Sequence, residues 1–298
     1  MEELTLKKAN WNCPTIESRK TIKKLNQEIV ASFCDAEEVK KIMDAHTEKV
    51  GASRYILPVW QNMEAIVIGS EIEAGKKGNA GLAATEFWLP GKYCVDTLSD
   101  LEELEIDMVD HPLLRTVLEL IPHYQDRPLI LEIEAPFSIL SALMNPMDIF
   151  LCFMEEGELL LQILYKIADA QAEYVKAAIE AGAGVISLAD PVGTMNMVGE
   201  EYYKEYVGKS ELYLMQRLDP YLDRAVIHIC KKMSQSLAIA GYVTQESCEI
   251  NPAADYYEIL RHMASDPEIH YTGMTCIHNA HPNLRQSVKL QIKEGMSC

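Results

Sequence analysis

The stretch AVIHICKKMS, residues 225–234, places a histidine and a cysteine two positions apart at the end of a short apolar run. The run Ala225-Val226-Ile227 predicts a buried β-strand that ends where the polar residues begin. In an extended segment, side chains two residues apart point to the same face, so His228 and Cys230 are expected to project together. The stretch therefore leaves two alternatives: half of a metal site, or two small buried residues that happen to be neighbours.

Similar apolar runs alternate with longer helical patterns along most of the chain. The runs predict seven strands, at Arg54–Val59, Ala83–Phe87, Pro128–Ile133, Gly184–Leu188, Ala225–Ile229, Gly241–Thr244 and Ile269–Thr275. The stretches between them predict helices at Asn62–Ser70, Pro112–Leu120, Phe137–Asn145, Glu155–Ala181, Gly199–Leu218, Lys232–Ala240 and Pro252–Ala264. A further helix, Glu37–His46, is expected within a helical N-terminal region, residues 1–50.

Strands that alternate with helices imply parallel pairing through right-handed crossovers. Neither a G-x-G-x-x-G after the first strand nor a G-x-x-x-x-G-K-[ST] motif occurs, so a nucleotide-binding sheet loses support. We therefore expect one domain, residues 1–298, with an α/β fold of the TIM-like (β/α) barrel type. After the sixth strand the chain reaches the last one through a single helix. Either Cys248–Ile250 forms another strand, or one βα unit is missing near the C-terminus.

The composition limits the kinds of molecule that the protein is expected to bind. The chain has 298 residues and a formal net charge of -18, which disfavours binding to nucleic acid or to an anionic membrane surface. No run of about eighteen apolar residues and no signal-like start occurs, so a cytoplasmic protein is expected. The eight cysteines form no C-x-x-C pair, which argues against a disulfide scaffold.

Functional groups of a (β/α) barrel lie where the strands end and the βα loops begin. His228, Cys230 and Cys276 follow two strands that are neighbours if the barrel closes, and imidazole and thiolate are ligands that zinc takes. From spacing alone, a buried cysteine beside a hydrogen-bonded histidine is the commoner outcome. Glu246, after the sixth strand, is a candidate fourth ligand, with substrate or water as the alternative.

Four other side chains at the predicted rim are candidates for substrate binding: Asn62, Glu134, Asp190 and His278. Glu134 is favoured over Glu132 on the same strand face because Pro136 ends the strand there. Asp190 is expected either to contact substrate or to cap the turn that follows it. His278 is an alternative metal ligand, or else a loop histidine on a solvated rim.

Four stretches in order resemble the uroporphyrinogen decarboxylase superfamily and, within it, its cobalamin-dependent methyltransferase branch of the methylcobamide:thiol type. They are YILPVWQNMEAIVIGSEIE (55–73), EAPFSILSAL (134–143), DPVGTMNMVGEEYYKEYV (190–207) and HICKKM (228–233), which is similar to the family's zinc-holding H-I-C motif. Their order and spacing match over about residues 30 to 290, so the resemblance covers most of the chain.

The resemblance implies zinc bound by His228, Cys230 and Cys276. In that branch zinc keeps an acceptor thiol as a thiolate, which attacks the methyl group on cobalt. The function implied is a zinc-dependent methyltransferase that moves a methyl group between a corrinoid (methylcobalamin) protein and a small thiol or another small methyl acceptor or donor.

Two departures from the family pattern keep other functions open. The decarboxylases have arginines after the first strand, where this chain has Val59-Trp60-Gln61-Asn62, so decarboxylation of a porphyrinogen or a smaller acid is disfavoured. Lys231 and Lys232 replace small residues after the H-x-C pair. Together with the shortened barrel, they motivate the alternative of a non-catalytic barrel that binds a corrinoid protein, or of a homodimer that covers the gap.

Overall fold

The structure is a computed structural model that describes residues 35–37, 39–41, 44, 55–57, 63–69, 71–72, 90–124, 129–249, 256–277, 286–293 and 295. Its strands are β1 (Tyr55–Leu57), β2 (Glu71–Ile72), β3 (Pro90–Lys92), β4 (Leu129–Glu134), β5 (Val185–Ala189), β6 (Val226–Ile229), β7 (Val243–Glu249), β8 (Tyr271–Gly273) and β9 (Gln286–Ile292).

The helices are α1 (Met63–Ile68), α2 (Leu98–Glu102), α3 (Pro112–Leu120), α4 (Pro136–Leu143), α5 (Pro146–Glu155), α6 (Gly157–Glu180), α7 (Met195–Val198), α8 (Glu200–Tyr202), α9 (Gly208–Leu218), α10 (Lys231–Ala240) and α11 (Tyr256–Ala264). Most of them lie close to the predicted positions, whereas α2, α5 and α7 were not predicted. A π-helical segment, Tyr203–Val207, joins α8 to α9. Short 3₁₀ turns follow α3 and α9, at Ile121–Tyr124 and Asp219–Tyr221.

Seven strands form one sheet in the order β1-β4-β5-β6-β8-β9-β7, and β2 and β3 form a separate antiparallel pair. Within this order, β1, β4, β5, β6 and β8 form a run of strands that pair with one another in parallel. This alternation of parallel strands with helices confirms the predicted TIM-like (β/α) fold. Within the described residues β1 and β7 are the two edges of the sheet, and no pairing joins them.

The C-terminal part of the sheet differs from the prediction. The prediction that all strands pair in parallel is wrong, because β9 runs antiparallel to both β8 and β7. Cys248 lies inside β7, so it does not begin a separate strand at 248–250. β6 pairs directly with β8, which favours the alternative of a missing βα unit.

Strand β9 has a sequence signal that the prediction overlooked. QSVKLQI places apolar residues at 288, 290 and 292 and polar residues between them, which is the period of a half-buried strand. Leu290 is buried, as that alternation requires for one face. The predicted strand Ala83–Phe87 lies outside the described residues, and of the helix predicted at Glu37–His46 residues 37, 39–41 and 44 are described as helical.

The sheet is apolar on both faces, as buried parallel strands require. One face carries Leu131, Ile186 and Ile227 and packs against the main helical core. The opposite face, called here the inner face, carries Ile130, Val185 and Val226, and α11 packs on it. Helix α11 thus covers one end of the inner face and leaves the polar residues further along β4, β5 and β6 to form the candidate site.

Among the described residues, no single helix is long and apolar enough to cross a membrane. One bent pair, α4 with α5 at 116°, reaches the required hydropathy only when the two helices are taken together.

Candidate metal centre

A row of polar residues crosses the inner face at one level of the sheet. Glu132 pairs with Ser187, Ser187 with His228, and His228 with Thr272, each on the neighbouring strand. Side chains that are paired across strands point to the same face. The register of four strands therefore brings these side chains side by side, just before the carboxyl ends of the strands.

The imidazole of His228 is fully buried and hydrogen-bonded at both nitrogens. Its Nδ1 lies 3.2 Å from Ser187 Oγ, and its Nε2 lies 2.9 Å from the backbone carbonyl of Thr275. The ring of Tyr256 lies edge-on to it, with centroids 5.7 Å apart. The histidine at the end of β6 is thus oriented by a residue of β5 on one side and by the turn after β8 on the other.

The two candidate cysteine ligands lie at the ends of the adjacent strands β6 and β8, as predicted. Cys230 is half-buried, is the N-cap residue of α10, and donates its backbone N–H to the Leu188 carbonyl at 2.8 Å. Cys276 is buried and follows Thr275 directly. Burial raises the pKa of Tyr256, and the nearby Cys276 and Cys230 raise it further. One buried phenol therefore lies close to both cysteines and to His228.

The chemistry of this donor set fits zinc, since one imidazole and two thiols are common zinc ligands. The side chains are not positioned to bind a metal together, however: among the described residues, no group of three or more histidine, cysteine or carboxylate side chains is arranged as a metal site. A histidine nitrogen binds a metal ion through its lone pair. Ligation by His228 would therefore replace one of its two present hydrogen bonds.

The predicted fourth ligand, Glu246, is not brought to this cluster. Glu246 is exposed on β7 and pairs with Lys289, and β8 and β9 lie between its strand and β6. Asn62 and His278 lie outside the described residues. The identity of a fourth ligand therefore stays a prediction.

Glu134 belongs to a second, acidic cluster at the end of β4. Its backbone N–H donates to Glu64 Oε1 at 3.3 Å, and its backbone carbonyl accepts a hydrogen bond from Gln171 Nε2. Burial raises the pKa of Glu134 well above its usual range, and the charges of Glu64, Asp190 and Glu132 raise it further. Burial likewise raises the pKa of Glu64 to about 7. Burial therefore favours the neutral form of the Glu134 carboxyl, which can donate a hydrogen bond.

Asp190 caps the turn that follows β5, one of the two roles that the sequence left open. Its Oδ1 accepts hydrogen bonds from Ser138 Oγ and from the Gly193 backbone N–H, both at 2.6 Å. Burial raises its pKa to about 6 although these bonds oppose the shift. The neighbouring Glu211 accepts a hydrogen bond from Tyr203 Oη at 2.5 Å, and burial raises the pKa of Glu211 well above its usual range.

Sequence reasoning missed three residues that touch His228: Ser187, Thr275 and Tyr256. Ser187 sits at an inward position of β5, two residues from Val185, so the strand period was a usable signal. Tyr256 offers no such signal, because the packing of α11 on the inner face is a tertiary contact that strand spacing does not encode. Thr275 accepts the His228 hydrogen bond through its backbone carbonyl, and a backbone interaction cannot be predicted from the type of residue.

Comparison with known families agrees with this architecture. A family model described as uroporphyrinogen decarboxylase (URO-D) matches residues 89–264. Because the match covers more than half of the 298 residues, the chain belongs to the URO-D family.

Within this family the chain is similar to methyltransferases. It is 25% identical over 230 residues to the methylcobamide:CoM methyltransferase MtbA of Methanosarcina mazei, covering 75% of this chain and 65% of that protein. It is 26% identical over 208 residues to the methylcobamide:CoM methyltransferase MtaA of Methanosarcina barkeri, covering 68% of this chain and 58% of that protein. The chain thus spans less than two thirds of each relative's length.

A solved structure of a methyltransferase from Methanosarcina mazei superposes with a TM-score of 0.54 at 20% identity, over 80% of this chain and 68% of that one. This likeness supports the fold.

Proposed function

We propose that the chain is a zinc-dependent methyltransferase that moves a methyl group between a corrinoid-carrying protein and a small thiol or another small methyl acceptor or donor. The observation that supports the proposal is that His228 and Cys230 lie at the end of β6 and that Cys276 follows β8, the strand that pairs with β6. The similarity to two methylcobamide:CoM methyltransferases supports the same reaction class.

In this proposal, the zinc ligands are His228, Cys230 and Cys276, and zinc supplies a positive charge that keeps an acceptor thiol deprotonated near neutral pH. A thiolate held there would attack the methyl carbon of a methylcorrinoid substrate, forming the carbon–sulfur bond as the cobalt–carbon bond breaks and leaves its electron pair on cobalt.

The chain's own residues have three roles around that reaction. Ser187 orients the His228 ring through Nδ1. Tyr256 covers the ring and brings a buried hydroxyl close to both cysteines, which limits access of water to the thiolates. Burial raises the pKa of Glu134 and of Glu64, which favours their neutral forms and reduces the negative charge beside a site that must accept a thiolate.

Metal content is the first test. Purified protein is expected to hold about one zinc ion per chain, measured by elemental analysis, and Cys230→Ser or Cys276→Ser is expected to lose most of it. Cys94→Ser is the matched control, because Cys94 is an exposed cysteine outside the cluster. Wild-type protein that takes up no zinc would refute the proposal.

Methyl transfer is the second test. Methylcobalamin mixed with the zinc-loaded protein and a series of small thiols is expected to change its visible spectrum towards Co(I). The change is expected to disappear in Cys276→Ser and to persist in Cys94→Ser. Protein that binds zinc but transfers no methyl group to or from any corrinoid would contradict the proposed catalytic activity.

A non-catalytic barrel that binds a corrinoid protein is the second candidate. It is favoured by the hydrogen bonds at both nitrogens of His228 and by Lys231 and Lys232, which directly follow the H-x-C pair. It predicts that Cys230→Ser and Cys276→Ser leave binding to a corrinoid protein unchanged. The same variants abolish turnover if the chain is catalytic, so the two candidates are separated by measuring both properties.

A further inference from the structure

The turn that carries Cys276 contains a strained backbone. Met274 has a φ of +66°, and it is the one residue other than glycine with a positive φ in the described part of the chain. A left-handed conformation brings the Cβ atom of an L-residue close to the next carbonyl oxygen, so it persists only where surrounding contacts enforce it. Specific contacts must therefore stabilise this conformation two residues before Cys276.

Ser234 on α10 provides these contacts. The backbone N–H of Met274 donates to Ser234 Oγ at 2.8 Å, and the Ser234 hydroxyl donates in turn to the Lys231 carbonyl at 3.0 Å. Met274 Sδ lies 3.6 Å from the same oxygen. Ser234 is fully buried, so the bond to Met274 is protected from water. The Ser234 hydroxyl thus anchors the loop after β8 to the N-terminal turn of α10, the helix that Cys230 caps.

The anchored turn presents the Thr275 carbonyl to His228. A carbonyl oxygen can only accept, so His228 Nε2 carries the proton of their 2.9 Å hydrogen bond. In the neutral ring Nδ1 then accepts from Ser187 Oγ. A metal ion needs the lone pair of Nε2, so a metal on that atom and the bond to Thr275 exclude each other. The serine hydroxyl can reverse its role and accept from Nδ1–H, whereas the carbonyl cannot.

We propose that Ser234 and Met274 form a latch that holds the Thr275 carbonyl on His228 Nε2 and has to open before a metal ion binds that nitrogen. The inference rests on the proposed function only in taking zinc as the ion. It makes Ser234 a positioning residue, which acts on His228 through the Met274 N–H and the Thr275 carbonyl.

Two substitutions shift the latch in opposite directions. Ser234→Ala removes the acceptor of the Met274 N–H, so the turn loses its anchor and zinc is expected to bind about fivefold more tightly. Met274→Gly removes the penalty of the left-handed backbone, so the closed turn gains stability and zinc is expected to bind about fivefold more weakly. Ser236→Ala is the matched control, since Ser236 lies on the same helix and bonds to Met195 N and the Lys232 carbonyl instead.

The experiment combines two readouts on the full-length chain. Zinc affinity is measured by competition with a chromophoric chelator. The tautomer of His228 is measured without zinc by NMR of protein labelled with ¹⁵N-histidine, where the wild type, Met274→Gly and Ser236→Ala are expected to give the Nε2–H signature. Ser234→Ala is expected to lose it or to average it between tautomers.

The outcomes separate the latch from the proposed function. An unchanged His228 tautomer in Ser234→Ala overturns the latch, whether or not zinc binds. If the His228 tautomer changes in Ser234→Ala but none of the proteins takes up zinc, the result supports the latch and refutes the zinc-dependent function. Affinities that move together in Ser234→Ala and Met274→Gly also overturn the latch, because only the latch gives them opposite signs.

Discussion

The imidazole of His228 donates through Nε2 to the backbone carbonyl of Thr275 at 2.9 Å. The histidine at the end of β6 is therefore tied to the residue directly before Cys276, at the end of β8. This bond joins the two halves of the candidate metal centre, which are 48 residues apart in the chain.

Ser187→Ala is expected to destabilise the protein, because it leaves Nδ1 of the buried His228 without its 3.2 Å partner. A buried polar atom that loses its partner costs about 1–3 kcal/mol. The free energy of unfolding from urea titrations gives the measurement. Ser265→Ala, an exposed serine on the turn after α11, is the control and is expected to change stability by less than about 0.5 kcal/mol. Equal effects of the two substitutions would contradict the structural role of Ser187.

Glu64 is expected to make stability fall as pH rises. Its pKa is raised from 4.5 to about 7 by burial, so its contribution is fully present below pH 4.5 and lost as pH rises to about 7. The loss amounts to about 3 kcal/mol. Glu64→Gln carries no titratable proton, so its stability relative to the wild type is expected to increase across this window. Urea unfolding at pH 4.5, 6 and 8 tests the prediction.

The surface substitution Glu158→Gln controls for the loss of one negative charge in the pH experiment. A constant difference between Glu64→Gln and the wild type at all three pH values would show that Glu64 has the same pKa in the folded and unfolded protein, and would contradict the prediction. Asp190 acts in the same direction, because its pKa is raised from 3.8 to about 6, so part of the pH dependence is expected to remain in Glu64→Gln.

Gly193→Ala is expected to disrupt the capped turn after β5. A Cβ atom at Gly193 would lie 2.3 Å from Asp190 Oδ2, and the carboxylate cannot retreat without breaking its bonds to Ser138 and to the Gly193 N–H. The expected cost is about 1–3 kcal/mol. Gly184→Ala is the control, since its nearest atom, the Arg224 carbonyl, lies 3.8 Å away. Thermal unfolding that ranks Gly184→Ala as the more damaging change would contradict this account.

Phe153→Ala is expected to cost about 3–5 kcal/mol of stability. The ring is buried and stacks on Tyr202 with centroids 4.7 Å apart, and it also contacts Phe137 at 5.8 Å. Phe150→Ala provides the comparison, since Phe150 is 37% exposed and touches Phe153 edge-on. Urea unfolding is expected to give a cost several times smaller for Phe150→Ala. A similar cost at both sites would mean that the stack contributes little.

The sequence by itself predicted most of the parallel part of the fold. The bounds of α3 are those expected, because Pro112 opens the helix and His111 caps it by accepting from the Leu113 N–H. Strands β4, β5 and β6 were found as short apolar runs, since strands buried on both faces carry few polar residues. The i, i+2 spacing also predicted that His228 and Cys230 come together at a strand end.

Only the tertiary structure decided how the C-terminal strands are ordered and what holds His228. The placement of β9 between β8 and β7 depends on pairing across the sheet, which local propensity does not encode, and it removed Glu246 from the neighbourhood of the cysteines. The hydrogen bond from His228 to Thr275 uses a backbone carbonyl, which every residue possesses. Residue type and spacing therefore identify the candidate ligands, whereas packing between distant segments decides which atoms they contact.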